Sequence, residues 1–142
     1  MLSFSKTRDN IAMRVFNASS STVEQAILEN QTIPETSLNE LTSDLAALLG
    51  IGKTETVGLL GVSLSRKTRN PTVNVDILDR TFVMIEMFAR VSSILGEDAA
   101  RHWFLNPKRA FDGVRPMDLL RTRVGLNRLS EVLTALEDGA YL

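Results

Sequence analysis

Apolar residues recur along most of this chain at helical spacing, and short polar stretches divide them into blocks. The most regular block runs from Asp76 to Leu95. Placed on a helical wheel, Leu78, Phe82, Ile85, Phe88 and Ala89 form one arc, and Val83, Met84, Met87, Val91 and Ile94 form a second. Only Asp79, Glu86, Arg90 and Ser93 are left as a narrow polar strip. A helix apolar over most of its circumference is either central to the fold or shared with another chain. If exposed, the second arc would make a larger apolar patch than monomers tolerate. The pattern therefore predicts a homodimer whose interface is Val83, Met84, Met87, Val91 and Ile94.

Other blocks are shorter. Ser37 followed three residues later by Glu40 makes a capping box for a helix carrying Leu38, Leu41, Leu45, Leu48 and Leu49, and Gly50 stops it. A short helix from Thr54 to Leu60, a turn at Gly61-Val62-Ser63 and a second short helix from Leu64 to Arg69 follow, ended by Asn70-Pro71. Beyond Gly96 the spacing predicts helices at Glu97 to Leu105, at Pro116 to Thr122 and at Leu126 to Glu137, with Gly125 read as a break before the last. TVNVDI is the one alternating β-branched run. The predicted fold class is all-α, a small helical bundle with a helix-turn-helix-like N-terminal part. Residues 1–36, with the polar Ser19-Ser20-Ser21, read as an N-terminal extension, flexible in character, and order is expected from Ser37.

Two stretches suggest chemistry. Gly50-Ile51-Gly52-Lys53-Thr54 resembles the end of a phosphate-binding loop, but Ala47 stands where that loop needs its first glycine, and the preceding residues have helical spacing and not that of a strand. The stretch is read as a helix stop followed by a new helix start at Thr54. In the helix-turn-helix reading, Gly61 permits the corner, Val62 fills the space between the helices and Ser63 caps the second one. Ser63, Ser65, Arg66, Lys67, Thr68 and Arg69 then become the DNA-contacting residues, through phosphates or guanine edges. Against this stand the shortness of the second helix and the presence of Lys67 where such units bury an aliphatic anchor. A solvated basic corner of the bundle is the equal alternative.

Composition narrows the classes further. A chain of 142 residues that is 44% hydrophobic can bury a real core. The net charge of -1 means that any DNA contact comes from a local patch. The sequence has no cysteine, which removes thiol nucleophiles and thiolate metal sites, and a single histidine, His102, reads as a packing or capping residue. No metal, cofactor or catalytic set is predicted, and Gly-x-Ser-x-Gly is absent. The start of the chain is too interrupted by charge for a signal peptide, and no stretch is apolar enough to span a membrane, so the expectation is a cytoplasmic protein without enzymatic activity.

The segment WFLNPKRAFDGVRPMDLLRTRVGLNRLSEVLTALEDGAYL carries a more specific pattern: Trp103, Asn106, Pro107, Phe111 and Gly113, then Pro116, Asp118, Leu119, Leu120 and Thr122, then Gly125, Leu133, Leu136, Glu137, Gly139 and Tyr141. It resembles the C-terminal toxin-binding domain of the Xre/MbcA/ParS antitoxins. The resemblance implies a toxin-binding domain over residues 97–142, behind an Xre-like helix-turn-helix and dimerisation helix over 37–96. It implies an antitoxin that binds a RES-domain toxin, an enzyme that degrades NAD or transfers ADP-ribose from it, and that also binds promoter DNA. Asn106, Pro107, Glu137, Gly139, Tyr141 and Leu142 are the implied toxin-binding residues. The residues support such a role physically, since Gly139 loosens the backbone and Tyr141 with Leu142 could plug an apolar pocket. Tyr141 folding back on its own domain is the alternative. A stand-alone helix-turn-helix transcription regulator without a toxin partner is the competing function.

Overall fold

The computed structural model describes residues 3–62 and 73–139. Among these the fold is all-α. Eight α-helices follow in order: α1 Phe4–Phe16, α2 Ser20–Leu28, α3 Leu38–Leu49, α4 Lys53–Leu60, α5 Val75–Leu95, α6 Glu97–Leu105, α7 Pro116–Leu119 and α8 Arg123–Glu137. A 3-10 turn at Arg109–Phe111 lies between α6 and α7. None of these helices is long and apolar enough to cross a membrane.

Side-chain caps set several of the helix starts. Ser19 accepts from the Thr22 amide, Ser37 from Glu40, Asn74 from Ile77 and Thr122 from Gly125. Each satisfies an amide that has no partner inside its helix, an effect of about 1 kcal/mol. Asn74 also ends the one alternating run, so Val75 and Ile77 begin a helix and not a strand. GIGKT is a junction: Gly50 closes α3 in the left-handed region at φ 70°, and Gly52, not Thr54, is the N-cap of α4.

The core is built around α5, which packs against α1, α2, α4, α6 and α8. Met84, Ile85, Phe88, Ala89 and Val91 are all fully buried. This corrects the predicted dimer surface. Met84, Met87 and Val91 are covered by helices of the same chain, and only Val83 and Ile94 stay half-exposed. The second apolar arc therefore gives no reason for a second copy.

The reading of residues 1–36 as an extension is also corrected. Ile11, Ala12, Val15 and Phe16 of α1 and Val23 of α2 belong to the main core, and the Phe16 ring stacks on Phe82 at 6.3 Å. Their spacing puts each pair one turn apart on a single face, while Lys6, Arg8, Asp9, Asn10 and Arg14 give the segment its polar look. Arg14 further ties α1 to the start of α6 through both oxygens of Glu97, at 2.7 and 3.0 Å. Phe16→Ala should cost about 3–5 kcal/mol of folding stability. Chemical denaturation measures this, and a loss below 1 kcal/mol would return the segment to the status of an appendage.

Candidate functional site

The motif residues of the C-terminal segment form a small frame packed along α5, reached by Arg80, Phe88 and Arg90 of that helix. Trp103 and Phe104 come from α6. The Trp103 ring meets Phe104 edge-on at 5.1 Å and Phe111 edge-on at 6.4 Å, and Phe104 stacks on Phe88 of α5. Such pairs add about 0.5–1.5 kcal/mol each beyond their burial. Lys108 lies over the outer face of the indole at 5.5 Å.

Between α6 and α7 the chain makes a tight loop. Lys108 donates to the Val114 carbonyl at 3.2 Å, and its own carbonyl accepts from Phe111 and Gly113. Asp112 and Gly113 both take positive φ, at 54° and 84°, which turns the chain and drives Phe111 inward. The loop presents Asn106, Pro107 and the partly apolar Val114 to solvent. Asn106 donates from Nδ2 to the His102 carbonyl at 2.7 Å, which closes the end of α6. His102 itself is exposed, which removes packing from the expected packing-or-capping role.

Gly125 was read as a helix break, and the structure corrects this. It lies inside the first turn of α8, and its amide donates to the Thr122 hydroxyl at 2.9 Å. A Cβ at this position would sit 2.3 Å from the Leu119 carbonyl oxygen. Glycine is needed because α7 and α8 approach backbone to backbone. That approach lets Leu120, Leu129 and Leu133 become fully buried.

Charge pairs lock this frame onto the rest of the chain. Arg115 grips both oxygens of Asp118, at 2.9 and 3.1 Å, and reaches Glu55 of α4 at 2.8 Å. The Arg115 contact holds the Asp118 carboxyl below its ordinary range, and the two carboxylates raise the Arg115 guanidinium. Arg80 donates to the carbonyls of Leu59 and Arg121, at 3.1 and 2.8 Å, joining the ends of α4 and α7. Arg101 donates to the Leu48 carbonyl at 2.7 Å and so satisfies the end of α3. The contacts of Arg115 with Glu55, of Arg80 with Leu59 and Arg121, and of Arg101 with Leu48 lie 21 to 60 residues apart in the chain, so no local spacing reveals them.

The predicted toxin-binding residues fall in two places. Asn106 and Pro107 end α6, whereas Glu137 and Gly139 end α8, and no hydrogen bond joins the two groups. Glu137 is already engaged, with both oxygens paired to Arg90 of α5 at 2.6 and 3.2 Å. Gly139 is exposed and has φ 97°. Tyr141 and Leu142 lie outside the described residues, as do the predicted DNA contacts Ser63, Ser65, Arg66, Lys67, Thr68 and Arg69.

Comparison with known proteins gives this frame a family. Residues 91–139 match the family model described as the antitoxin Xre/MbcA/ParS C-terminal toxin-binding domain. The chain is also 33% identical over 76 residues to a protein named Antitoxin Xre from Pseudomonas putida strain KT2440. That alignment covers 53% of this chain and 48% of the relative, so the chain spans about half the length of the curated protein it matches. The C-terminal part of this chain is thus similar to the toxin-binding domain of the Xre/MbcA/ParS antitoxins.

The close approach at Gly125 makes a direct prediction. Gly125→Ala pushes a methyl into the Leu119 carbonyl and should cost about 1–3 kcal/mol, the usual range for overpacking a tight contact. A thermal melt unchanged within error would show that α7 and α8 can separate without loss.

Proposed function

We propose that this chain is an antitoxin that binds a RES-domain toxin and neutralises it by covering its active site with the antitoxin's C-terminal region. The toxin degrades NAD or transfers ADP-ribose from it; this chain does no chemistry. The observation that carries the reading is the match of residues 91–139 to a toxin-binding domain, in a segment whose motif residues build a frame with two exposed ends.

The physical logic is that of a rigid support with a projecting end. Trp103, Phe111, Leu120, Leu129 and Leu133 fix the support by burial. From Gly139 onward the sequence runs Gly-Ala-Tyr-Leu, which joins a permissive backbone to a large amphipathic ring and an aliphatic side chain. An enzyme pocket that binds a dinucleotide is concave, largely apolar and set with a few polar groups. Tyr141 suits such a pocket as an anchor, with Asn106 and Pro107 contacting the toxin beside it.

The second half of the proposal is binding to promoter DNA through Ser63, Ser65, Arg66, Lys67, Thr68 and Arg69. The observation that favours it is the end of α4, where Gly61 in the left-handed region at φ 67° turns the chain sharply just before this basic stretch. Arg66→Ala and Arg69→Ala should each weaken binding to the chain's own promoter and flatten its salt dependence by about one ion per lost contact. Mobility shifts across a salt series check this. A chain that shifts no promoter fragment at low salt removes the regulatory role.

Removing residues 139–142 tests the antitoxin role. The shortened chain should keep its helicity and melting temperature but fail to protect cells that express the RES-domain toxin. Full protection by the shortened chain would refute occlusion by the C-terminal end.

A further inference from the structure

The polar strip of α5 contains one residue whose contacts exceed anything packing requires. Arg90 donates to Glu137 from Nε at 3.2 Å and from Nη2 at 2.6 Å, to the Ser130 hydroxyl at 2.9 Å, and to the Thr134 hydroxyl at 3.1 Å. Nη2 also lies 3.4 Å from the Ser130 carbonyl. One guanidinium therefore holds three successive turns along the last half of α8. Its side chain is 16% exposed, so the pair is screened less than an ordinary surface ion pair.

The position of these contacts matters as much as their number. The core of the chain holds α8 through Leu129 and Leu133, both fully buried. Past Leu133 the helix has only the half-buried Leu136 against the core. Left alone, a helix end of this kind frays, because its last carbonyls have no partners within the helix. Arg90 prevents that by fixing Glu137, the last helical residue, and by placing a positive charge against the negative end of the helix dipole. Immediately beyond, the Asp138 amide donates to Thr134 and the Gly139 amide to Leu136, so the chain leaves the helix in a defined direction.

We propose that Arg90 is a positioning residue for toxin binding: with Glu137 it forms a latch that fixes the direction in which the chain leaves α8. This rests on the reading that residues past Asp138 enter the toxin. It assigns Glu137 a new task, since its carboxylate serves the antitoxin's own geometry and not the toxin. It also takes Arg90 out of the polar strip of α5 and places it on the inner side of a seam between α5 and α8.

The absence of native cysteine allows a direct test. Spin labels attached through Ala99→Cys on α6 and Asp138→Cys at the end of α8 report the distance from frame to exit in the full-length chain. A narrow distribution is expected with Arg90 present, and a broad one in Arg90→Ala and in Glu137→Gln, the second variant leaving the arginine in place should the first fail to fold. An unchanged width in Glu137→Gln overturns the latch.

A binding cycle then separates the latch from the reading beneath it. The RES-domain toxin is titrated with wild type, Glu137→Gln, the chain lacking residues 139–142, and the combination. Glu137→Gln should weaken binding on the order of tenfold in the full chain, because the ordering cost moves into the binding step, and hardly at all in the shortened one. Equal losses in both backgrounds overturn the positioning role and make Glu137 a contact in its own right. If shortening alone changes nothing, it is occlusion by the C-terminal end that fails, while the spin-label widths still decide the latch.

Discussion

The whole molecule depends on the need to bury α5 on nearly every side. A helix with two apolar arcs cannot lie on a surface, and in water its exposure would cost more than any cap or ion pair here could return. The chain meets that demand internally. α1, α2, α4, α6 and α8 all pack against α5. Residues 1–28 are as much a part of the solution as the C-terminal domain is, since Phe16 and Val15 fill space that α5 would otherwise show to solvent. A homodimer was the other way to meet the same demand, and the burial of Met84, Met87 and Val91 within one chain removes it as a necessity.

Wrapping a central helix with short ones creates many helix ends, and each end leaves carbonyls or amides without partners. The amides are met locally, by Ser19, Ser37, Asn74 and Thr122. Several of the carbonyls are met from far along the chain, by Arg101 on Leu48 and by Arg80 on Leu59 and Arg121. This division has a physical reason. A serine or asparagine can reach its own helix start, whereas a helix end needs a long donor, and an arginine from another helix supplies several at once. The same arginines join elements distant in sequence, so satisfying the helix ends also fixes how the helices are arranged.

That difference explains what the sequence revealed. All-α architecture, the central helix from about Asp76 to Leu95, and the segment Glu97–Leu105 follow from periodicity and from glycine at the ends. The Ser37 cap and the GIGKT junction follow from local chemistry. Three features stayed hidden. α1 was obscured because charged residues fill its outer face and its buried pairs are few. Gly125 differs from a helix-ending glycine in nothing the sequence shows, and only the structure separates them, since a Cβ here would lie 2.3 Å from the Leu119 carbonyl oxygen. The arginine seams between helices were invisible because the partners that join them lie between 21 and 83 residues away.

The placement of the C-terminal motif residues bears on what such a pattern encodes. Of its residues, Trp103, Phe111, Pro116, Leu120, Gly125 and Leu133 point inward or lie in close backbone contact. They describe a shape and not an interface. A pattern of this kind can be retained while the exposed positions change, because substitutions at solvent-facing sites usually cost little stability. Val114 and Val124 stand out among those positions, at 41% and 71% exposed, the second following Arg123 in sequence and lying one helical turn before Arg128 on α8. A domain built this way separates two tasks: the internal residues hold α6, α7 and α8 in one geometry, and the outer residues are free to vary without loss of fold.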